Sequence, residues 1–129
     1  MTTVNTIGTA MFSVADQDDA IAFYTEKLGW ELRSETAFGE GADAGRWVEV
    51  APPGSTTVLA LNPPMQGEPG GGSIGVETPD VAGERERLAG TDGVEVGEMM
   101  GGDGPVPQMF SVTDPDGNWI WVVQQQAGA

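Results

Sequence analysis

The predicted elements follow the same order twice along the chain, and this repeat constrains the fold more than any other feature. The first strand, Thr6–Val14, is rich in β-forming residues, and Asp16 just after it is a good helix N-cap. Apolar residues then recur at helical spacing until Gly29, where the helix is expected to end. The three strands predicted after it are 30–37, 46–51 and 57–61.

The order of one strand, one helix and three strands begins again after a stretch that is too rich in proline and glycine for regular structure. Ser73–Glu77 is the predicted strand, and Val81–Leu88 is the predicted helix. Thr78 is placed at the N-cap of this helix, with Pro79 as its first residue. The strands that follow are 94–98, 108–113 and 119–125, with a glycine-rich loop at 99–104.

One constant difference of 62 residues relates the two halves, since it carries Asp16 to Thr78 and Pro53 to Pro115. Caps, strand ends and turn prolines coincide under this shift, which favours an internal duplication. The sequence therefore predicts a single α+β domain over residues 1–129. Its parts are a βαβββ module at 4–62, a linker at 63–72 and a second βαβββ module at 73–126.

The composition restricts the chemistry that this chain can perform. It contains no cysteine and no histidine, which excludes disulfides, thiolate metal sites, cysteine nucleophiles and the commonest general base. A formal net charge of −15, from 20 acidic and 5 basic residues, would repel a phosphate backbone, so nucleic acid is not expected as a partner. The same acidity attracts cationic ligands, but it is more often only a solubilising surface.

The sequence gives no sign of a membrane or secretory segment. No apolar run approaches the roughly 20 residues of a membrane-spanning helix. The first ten residues lack both the basic start and the apolar core of a secretory signal. We therefore expect no membrane partner and a cytoplasmic location.

Two segments carry a resemblance to a known family. The stretch VADQDDAIAFYTEKLGWEL resembles the first module of vicinal oxygen chelate proteins, and FSVTDPDGNWIWVVQ resembles their last two strands. This superfamily includes glyoxalase I, bleomycin-resistance proteins and extradiol dioxygenases. The resemblance implies two βαβββ modules whose curved mixed sheets surround a ligand cup. It also implies a homodimer, because many members pair in this way.

The resemblance locates the positions at which metal-dependent members hold their ion. These positions lie on the first and last strand of each module and usually carry His or Glu. In this sequence they are Thr9, Leu59, Gly71 and Trp121. Since none of these is a usual ligand for a divalent ion, we expect no metal and no other cofactor.

Strand alternation predicts which side chains occupy the cup instead, because every second residue of a strand lies on one face. If Trp121 faces the cup, Trp119 joins it, while Ile120 and Val122 pack beneath the helices. Leu59 is assigned to the same inward face of the first module, and Met100 to a lip formed by the glycine-rich loop. The residues expected to bind a ligand are Thr9, Met11, Trp47, Glu49, Leu59, Ser73, Met100, Met109, Ser111, Trp119 and Trp121.

Three functions are compatible with such a site. The first is metal-independent capture of a bulky, planar or cationic natural product, as the resemblance to antibiotic-sequestering proteins implies, with the tryptophans stacking on the ligand. The second is a metal-free lyase or isomerase in which Glu49 acts as a base. In the third the tryptophans bind no small molecule and serve only to pair subunits.

Overall fold

The computed structural model describes residues 1–126, which form two compact units divided between Pro69 and Gly70. The division falls inside the predicted linker. Each unit contains one strand, a helix and three further strands, in that order. Each also builds its own four-stranded mixed sheet, and the sheets are open rather than closed into a barrel. The α+β class and the repeated βαβββ order are therefore confirmed.

The first unit has four strands in the spatial order β1-β4-β3-β2. They are β1 (Thr9–Ser13), β2 (Glu31–Phe38), β3 (Gly45–Ala51) and β4 (Val58–Asn62). β1 is parallel to β4, and the other neighbours are antiparallel. Helix α1 (Gln17–Ala22) continues as a π-helical turn over Phe23–Lys27, and a short 3-10 turn covers Gly41–Asp43.

Local chemistry explains where α1 begins and where the helical segment ends. The Asp16 carboxylate accepts a hydrogen bond from the Asp19 backbone N–H at 2.9 Å, which confirms the predicted N-cap. Gly29 follows the π-helical turn with φ of 81°, a conformation that suits glycine. The Gln17 side-chain amide donates to the carbonyls of Arg46 and Leu61, both at 2.9 Å, and so attaches the helix start to the sheet.

The second unit has the equivalent spatial order β5-β8-β7-β6. Its strands are β5 (Ser73–Thr78), β6 (Glu95–Val96), β7 (Met109–Thr113) and β8 (Trp119–Gln124), and its helix is α2 (Val81–Ala89). β5 is parallel to β8, and the other neighbours are antiparallel. β6 is shorter than the predicted 94–98, because after Gly97 the chain enters the glycine-rich loop.

The predicted cap of the second helix is wrong. Thr78 is the last residue of β5, and its carbonyl still accepts a hydrogen bond from the Gln125 N–H at 2.9 Å, which keeps it in the sheet. Asp80 is the N-cap, because its carboxylate accepts from the Gly83 N–H at 3.0 Å. Pro79 therefore precedes the helix rather than beginning it.

The predicted constant difference of 62 residues between the two modules is also wrong. The loops of the two units differ in length, so the difference between equivalent residues changes along the chain. It is 64 at the N-caps (Asp16 and Asp80), 62 on the third strands (Val50 and Val112) and 61 on the fourth strands (Leu59 and Ile120).

The DPDGN turn joins β7 to β8 through a buried polar network. Asp114 is only 4% exposed, and its carboxylate accepts from the Asp116 and Asn118 backbone N–H groups and from the Asn118 side-chain amide. The Asn118 side-chain oxygen accepts from the Gly72 N–H at 3.0 Å. Gly117 takes the left-handed conformation with φ of 86°. The end of the predicted linker is therefore bound to this turn.

Of the helices in residues 1–126, none combines the length and the apolar character that crossing a membrane would require.

Candidate functional site

In each sheet the buried large apolar side chains lie on one face, called here the covered face, while the opposite face, called here the open face, has mixed exposure, from Met11 at 63% to Ala60 at 0%. Residues paired across neighbouring strands share a face, so the register assigns each side chain to one of the two. The covered faces carry the buried strand residues Phe12, Val48, Val50, Leu59, Leu61, Phe110, Val112, Ile120 and Val122. The prediction that Ile120 and Val122 pack away from Trp121 is confirmed. The open faces hold the candidate binding residues.

On the second sheet, five predicted site residues share the open face. Ser73 pairs with Trp119 across β5 and β8, and Ser111 pairs with Trp121 across β7 and β8. Met109 lies two residues before Ser111 on the same strand and therefore has the same orientation. The register thus brings these side chains together as the alternation predicted.

The two tryptophans form a pair on this face. Their ring centroids are 5.8 Å apart and their planes are inclined by 37°. Trp119 is 44% exposed and Trp121 is half-buried, so neither indole is packed into the core. Indole rings presented in this way offer flat apolar surfaces on which a planar molecule can stack.

Ser111 provides a hydroxyl beside Trp121. It is only 7% exposed, and its hydroxyl makes no hydrogen bond to any other residue in the range 1–126. No fully buried side-chain oxygen or nitrogen within that range lacks a partner, so this hydroxyl must retain some contact with solvent. Such a group is available to a ligand that enters the face.

Met100 lies beside the first residue of β7 and extends the same face sideways. Met100 and Met109 exchange two backbone hydrogen bonds of 2.8 Å, which makes them a cross-strand pair. Met100 is half-exposed, and the next residues, Gly101 and Gly102, have φ of 78° and 91°. The glycine-rich loop therefore begins with a paired methionine, which places Met100 next to Met109 as the site prediction requires.

The open face of the first sheet carries four predicted residues, Thr9, Met11, Trp47 and Glu49. Met11 pairs with Ala60, and Ala60 pairs with Glu49, so these three form one row across the sheet. Met11 is 63% exposed, whereas Trp47 and Glu49 are half-buried. This face combines apolar groups with one carboxylate.

Glu49 is the acid of this face with no partner in the described chain. Its carboxylate forms no hydrogen bond or ion pair with any residue in 1–126. Arg46 lies three residues before Glu49 on β3 and therefore points to the opposite face, where it binds Asp18 at 2.9 Å and also contacts Glu35. The hydrogen bonds that Arg46 donates to the Asp18 and Glu35 carboxylates raise its pKa. Glu49 is thus free to meet a cation or a hydrogen-bond donor.

The prediction for Leu59 is wrong. Leu59 pairs with Val50 and is 3% exposed, so it lies on the covered face together with Leu61. Ala60 takes the open-face position on β4 instead. The alternation was correct, but it was anchored one residue away from the true register, and an apolar run such as Val58–Leu61 gives no contrast by which to see the error.

Sequence reasoning also missed Phe38, which lies just outside the predicted strand 30–37. Phe38 ends β2, pairs with Gly45 and is 54% exposed. Its ring lies against Gly45, where a Cβ would approach the ring to 2.7 Å. Phe38 shares the open face with Trp47, since Gly45 and Trp47 are two residues apart on β3. A glycine that begins a strand opposite an aromatic residue was the available signal.

The corrected register also changes the positions compared with metal ligands. With the differences of 64 and 61 residues, Thr9 corresponds to Ser73 rather than Gly71, and Trp121 corresponds to Ala60 rather than Leu59. Two neutral hydroxyls, a methyl group and an indole do not fit a divalent ion. In addition, residues 1–126 contain no group of three or more His, Cys, Asp or Glu side chains placed to hold a metal.

Comparison with known proteins identifies relatives of this chain. The model of the family described as Glyoxalase/Bleomycin resistance protein/Dioxygenase superfamily matches residues 6–122. The uncharacterized protein YetH of Bacillus subtilis (strain 168) is 38% identical over 95 residues, which cover 71% of this chain and 76% of YetH.

Two solved structures illustrate the structural likeness. TnmS3, an antibiotic binding protein from Streptomyces sp. CB03234, is 30% identical with a TM-score of 0.80 and covers 98% of this chain and 100% of its own. A glyoxalase/bleomycin resistance protein/dioxygenase superfamily member from Sphaerobacter thermophilus DSM 20745 is also 30% identical, with a TM-score of 0.75. The match covers 95% of this chain and 98% of that protein.

Proposed function

The chain belongs to the glyoxalase/bleomycin resistance/dioxygenase superfamily, and from that premise we propose that it binds and sequesters a bulky aromatic or cationic natural product without a metal. The observation that carries this proposal is the pair of indoles on the open face of the second sheet. The Trp119 and Trp121 rings lie 5.8 Å apart, Trp119 is 44% exposed, and Trp121 pairs across the strands with Ser111. A planar ligand would cover this apolar surface and remove it from water.

Two further observations support the proposal. The likeness to TnmS3 extends over nearly the whole chain, and that protein is an antibiotic binding protein. The residues at the ligand positions of metal-dependent members do not fit an ion, which favours binding over metal-assisted chemistry. The candidate ligands are antibiotics of the bleomycin, mitomycin and anthraquinone classes.

Glu49 supports the cationic part of the proposal. A half-buried carboxylate without a partner in residues 1–126 would pair with a protonated ligand amine. The formal net charge of −15 would also draw a cation toward the protein at low ionic strength.

The same carboxylate favours one alternative function, a metal-free lyase or isomerase with Glu49 as general base. A base must reach the proton that it removes, and an unpaired carboxylate is able to do so. Capture and catalysis predict different fates for the bound molecule, so the two functions are separable by experiment.

The test is a titration of tryptophan fluorescence with bleomycin, mitomycin C and doxorubicin, followed by mass spectrometry of the recovered compound. Doxorubicin combines an anthraquinone with a protonated amine and therefore carries both chemical features of the proposed ligand class. Sequestration predicts saturable quenching and full recovery of unchanged compound. Recovery of a converted product would instead favour the enzyme, and no saturable quenching by any probe would favour the third hypothesis, in which the tryptophans only pair subunits.

We also propose a homodimer in the cytoplasm. Family members often pair, and open sheet edges such as those of β2 and β6 gain from pairing. Sedimentation equilibrium would measure the mass in solution, and a monomer at micromolar concentration would contradict the dimer.

A further inference from the structure

A β-bulge interrupts the pairing between the outer strand of the second sheet and β7. Gly97 continues the register of β6, because its N–H donates to the Ser111 carbonyl at 2.8 Å. Further along the chain, Met100 exchanges two backbone hydrogen bonds with Met109. One residue of β7 lies between Ser111 and Met109, whereas residues 98 and 99 of the outer strand lie opposite it. Two residues opposite one define a bulge.

The bulge decides which of two neighbouring methionines reaches the open face. Gly97 lies in the open-face row with Ser111. Regular alternation from Gly97 would therefore place Met99 on the open face and Met100 on the covered face. The extra residue reverses this order, because Met100 is the residue that pairs with Met109. The exposures agree, since Met100 is 52% exposed whereas Met99 is half-buried.

One side chain of α2 holds the bulge. The Arg85 Nε–H donates to the Gly97 carbonyl at 3.0 Å. In a regular antiparallel pair this carbonyl would accept a hydrogen bond from the Ser111 N–H, but no such bond is made within residues 1–126. The arginine therefore provides the hydrogen bond that the bulge removes from the ladder.

Arg85 differs from the other arginines of the chain in its partner. Arg33, Arg46 and Arg87 each form an ion pair with at least one carboxylate. Arg85 forms no ion pair within residues 1–126, although the chain contains 20 acidic residues. Its side chain is half-buried and is directed to the Gly97 carbonyl. The guanidinium is thus placed for the backbone of the bulge rather than for pairing with a charge.

We propose that Arg85 is a positioning residue for the binding face: its hydrogen bond to Gly97 holds the bulge, and the bulge presents Met100 rather than Met99 to the ligand. The inference rests on the proposed binding function, but it assigns a role to α2, a helix that carries none of the predicted ligand-binding residues. Without this bond the regular register is favoured, because the Gly97 carbonyl then regains a partner in the ladder. A shift by one residue exchanges the two methionines.

The first test follows the register itself and needs no ligand. The amide protons of a hydrogen-bonded antiparallel pair lie close together, so the wild type should show a nuclear Overhauser effect between Met100 and Met109. Arg85→Leu should replace it with one between Met99 and Met109. Arg85→Gln should retain the wild-type contact, because the glutamine amide nitrogen takes the place of the arginine Nε and can donate to the same carbonyl. Arg87→Leu is the matched control, since Arg87 lies on the same helix and forms its ion pair within that helix.

The second test follows binding of doxorubicin by isothermal titration calorimetry. In the wild-type background Met100→Ala should weaken binding about fivefold, as expected when roughly half of a methionine side chain is lost from a contact. Met99→Ala should leave binding unchanged. In the Arg85→Leu background the two effects should be exchanged. An arginine that only stabilised the fold would leave the order of the two methionines as it is.

Deletion of Glu98 shows whether Arg85 acts through the bulge. Glu98 is an exposed residue of the bulge, and without it Met100 pairs with Met109 in regular alternation. Arg85→Leu should then change neither the amide contact nor the affinity for doxorubicin. This background also covers the case in which Arg85→Leu alone does not fold: folding restored by the deletion would support the assignment, and failure in both backgrounds would overturn it.

Two further results would overturn the positioning role. One is a contact between Met100 and Met109 that persists in folded Arg85→Leu. The other is a register in Arg85→Gln that changes as it does in Arg85→Leu. If the wild type binds neither doxorubicin nor the other antibiotics, the proposed function fails, while an exchange of the amide contacts would still support Arg85 as the residue that sets the register.

Discussion

The two sheets of this protein share one strand order, yet equivalent rows on their open faces carry different side chains at equivalent positions. The row of the first sheet is Met11, Ala60, Glu49 and Ser34, and the row of the second is Gly75, Trp121, Ser111 and Gly97. In the first row the large apolar group lies on the first strand and the fourth strand carries a methyl group. In the second row the first strand contributes a glycine, which has no side chain, and the fourth strand contributes an indole.

The comparison shows that the topology fixes positions while the side chains decide what each position does. The first sheet contributes a carboxylate without a partner in residues 1–126, and the second contributes a stacking surface and a hydroxyl. Two units with the same strand order can therefore carry different chemical groups at equivalent positions.

The turns that precede β4 and β8 are also stabilised differently in the two units. In the second unit the buried Asp114 and Asn118 hold the turn from within. In the first unit the Arg33 guanidinium holds it from outside, by donating to the carbonyls of Pro52 at 3.0 Å and Ser55 at 2.9 Å.

The largest expected effect separates these turns. Asn118→Ala removes a donor from the buried Asp114 carboxylate and an acceptor from the Gly72 N–H, and should lower the free energy of unfolding by about 3 kcal/mol. Arg33→Ala should cost less than about 1 kcal/mol, because its bonds are exposed to water. Urea denaturation of both variants measures the free energies of unfolding. Equal losses would show that the buried and the exposed hydrogen bonds stabilise the two turns equally.

The next effect tests the contrast between the indole and the methyl group. Trp121→Ala should weaken binding of doxorubicin by about 2 kcal/mol, or roughly thirtyfold, since stacking on the ring is lost. Trp121→Phe should retain most of the affinity. Isothermal titration calorimetry checks both, with Trp30→Phe as control, because Trp30 packs on the buried Tyr24 with a centroid distance of 5.2 Å. A loss of affinity in Trp30→Phe equal to that in Trp121→Ala would contradict the assignment.

A smaller effect tests the equivalence of the two helix starts. Asp16→Ala and Asp80→Ala should each lower the free energy of unfolding by about 1 kcal/mol, because each removes a side-chain cap. Thr78→Ala should cost less, since Thr78 belongs to β5 and its hydroxyl accepts from the Asp80 N–H at 3.2 Å rather than from a first-turn N–H of α2. Chemical denaturation of the three variants measures these losses. A greater loss for Thr78→Ala than for Asp80→Ala would show that Thr78 is the N-cap of α2, as the sequence predicted.

The smallest expected effect concerns the charge of the first sheet. Glu49→Gln should weaken binding of a cationic ligand by about 0.7 kcal/mol, or roughly threefold, and leave a neutral analogue unchanged. The loss should diminish as salt is added, because the interaction is electrostatic. Equal losses for the cationic and the neutral ligand would show that Glu49 acts through packing rather than charge.

The sequence predicted the elements and the alternation of β8 well, because both depend on local signals. The local backbone is determined by individual signals: the helix start by Asp16, the helix end by Gly29, and the link from β7 to β8 by the DPDGN turn. The WIWVV stretch of β8 alternates between buried positions and positions on the open face. Four of the five residues predicted for the open face of the second sheet lie on β7 and β8, where the intervening residues Phe110, Val112 and Ile120 are the better core formers.

The errors arose where a long-range register decided the outcome. Leu59 lies in a run of apolar residues, so only its pairing with Val50 shows which face it occupies. Thr78 and Asp80 are both acceptable caps, and the hydrogen bond from Gln125 to the Thr78 carbonyl selects between them. The unequal loops made one constant difference between the units impossible.

The central claim is that the open face of the second sheet binds a planar molecule through its indoles. The most direct measurement is a ¹H–¹⁵N NMR titration with doxorubicin, in which the four tryptophan indole N–H signals are followed separately. The account predicts saturable shifts for Trp119 and Trp121, while Trp30, packed on Tyr24, keeps its position. Saturable shifts confined to Trp30, or no indole shift at a doxorubicin concentration that saturates binding, would contradict it.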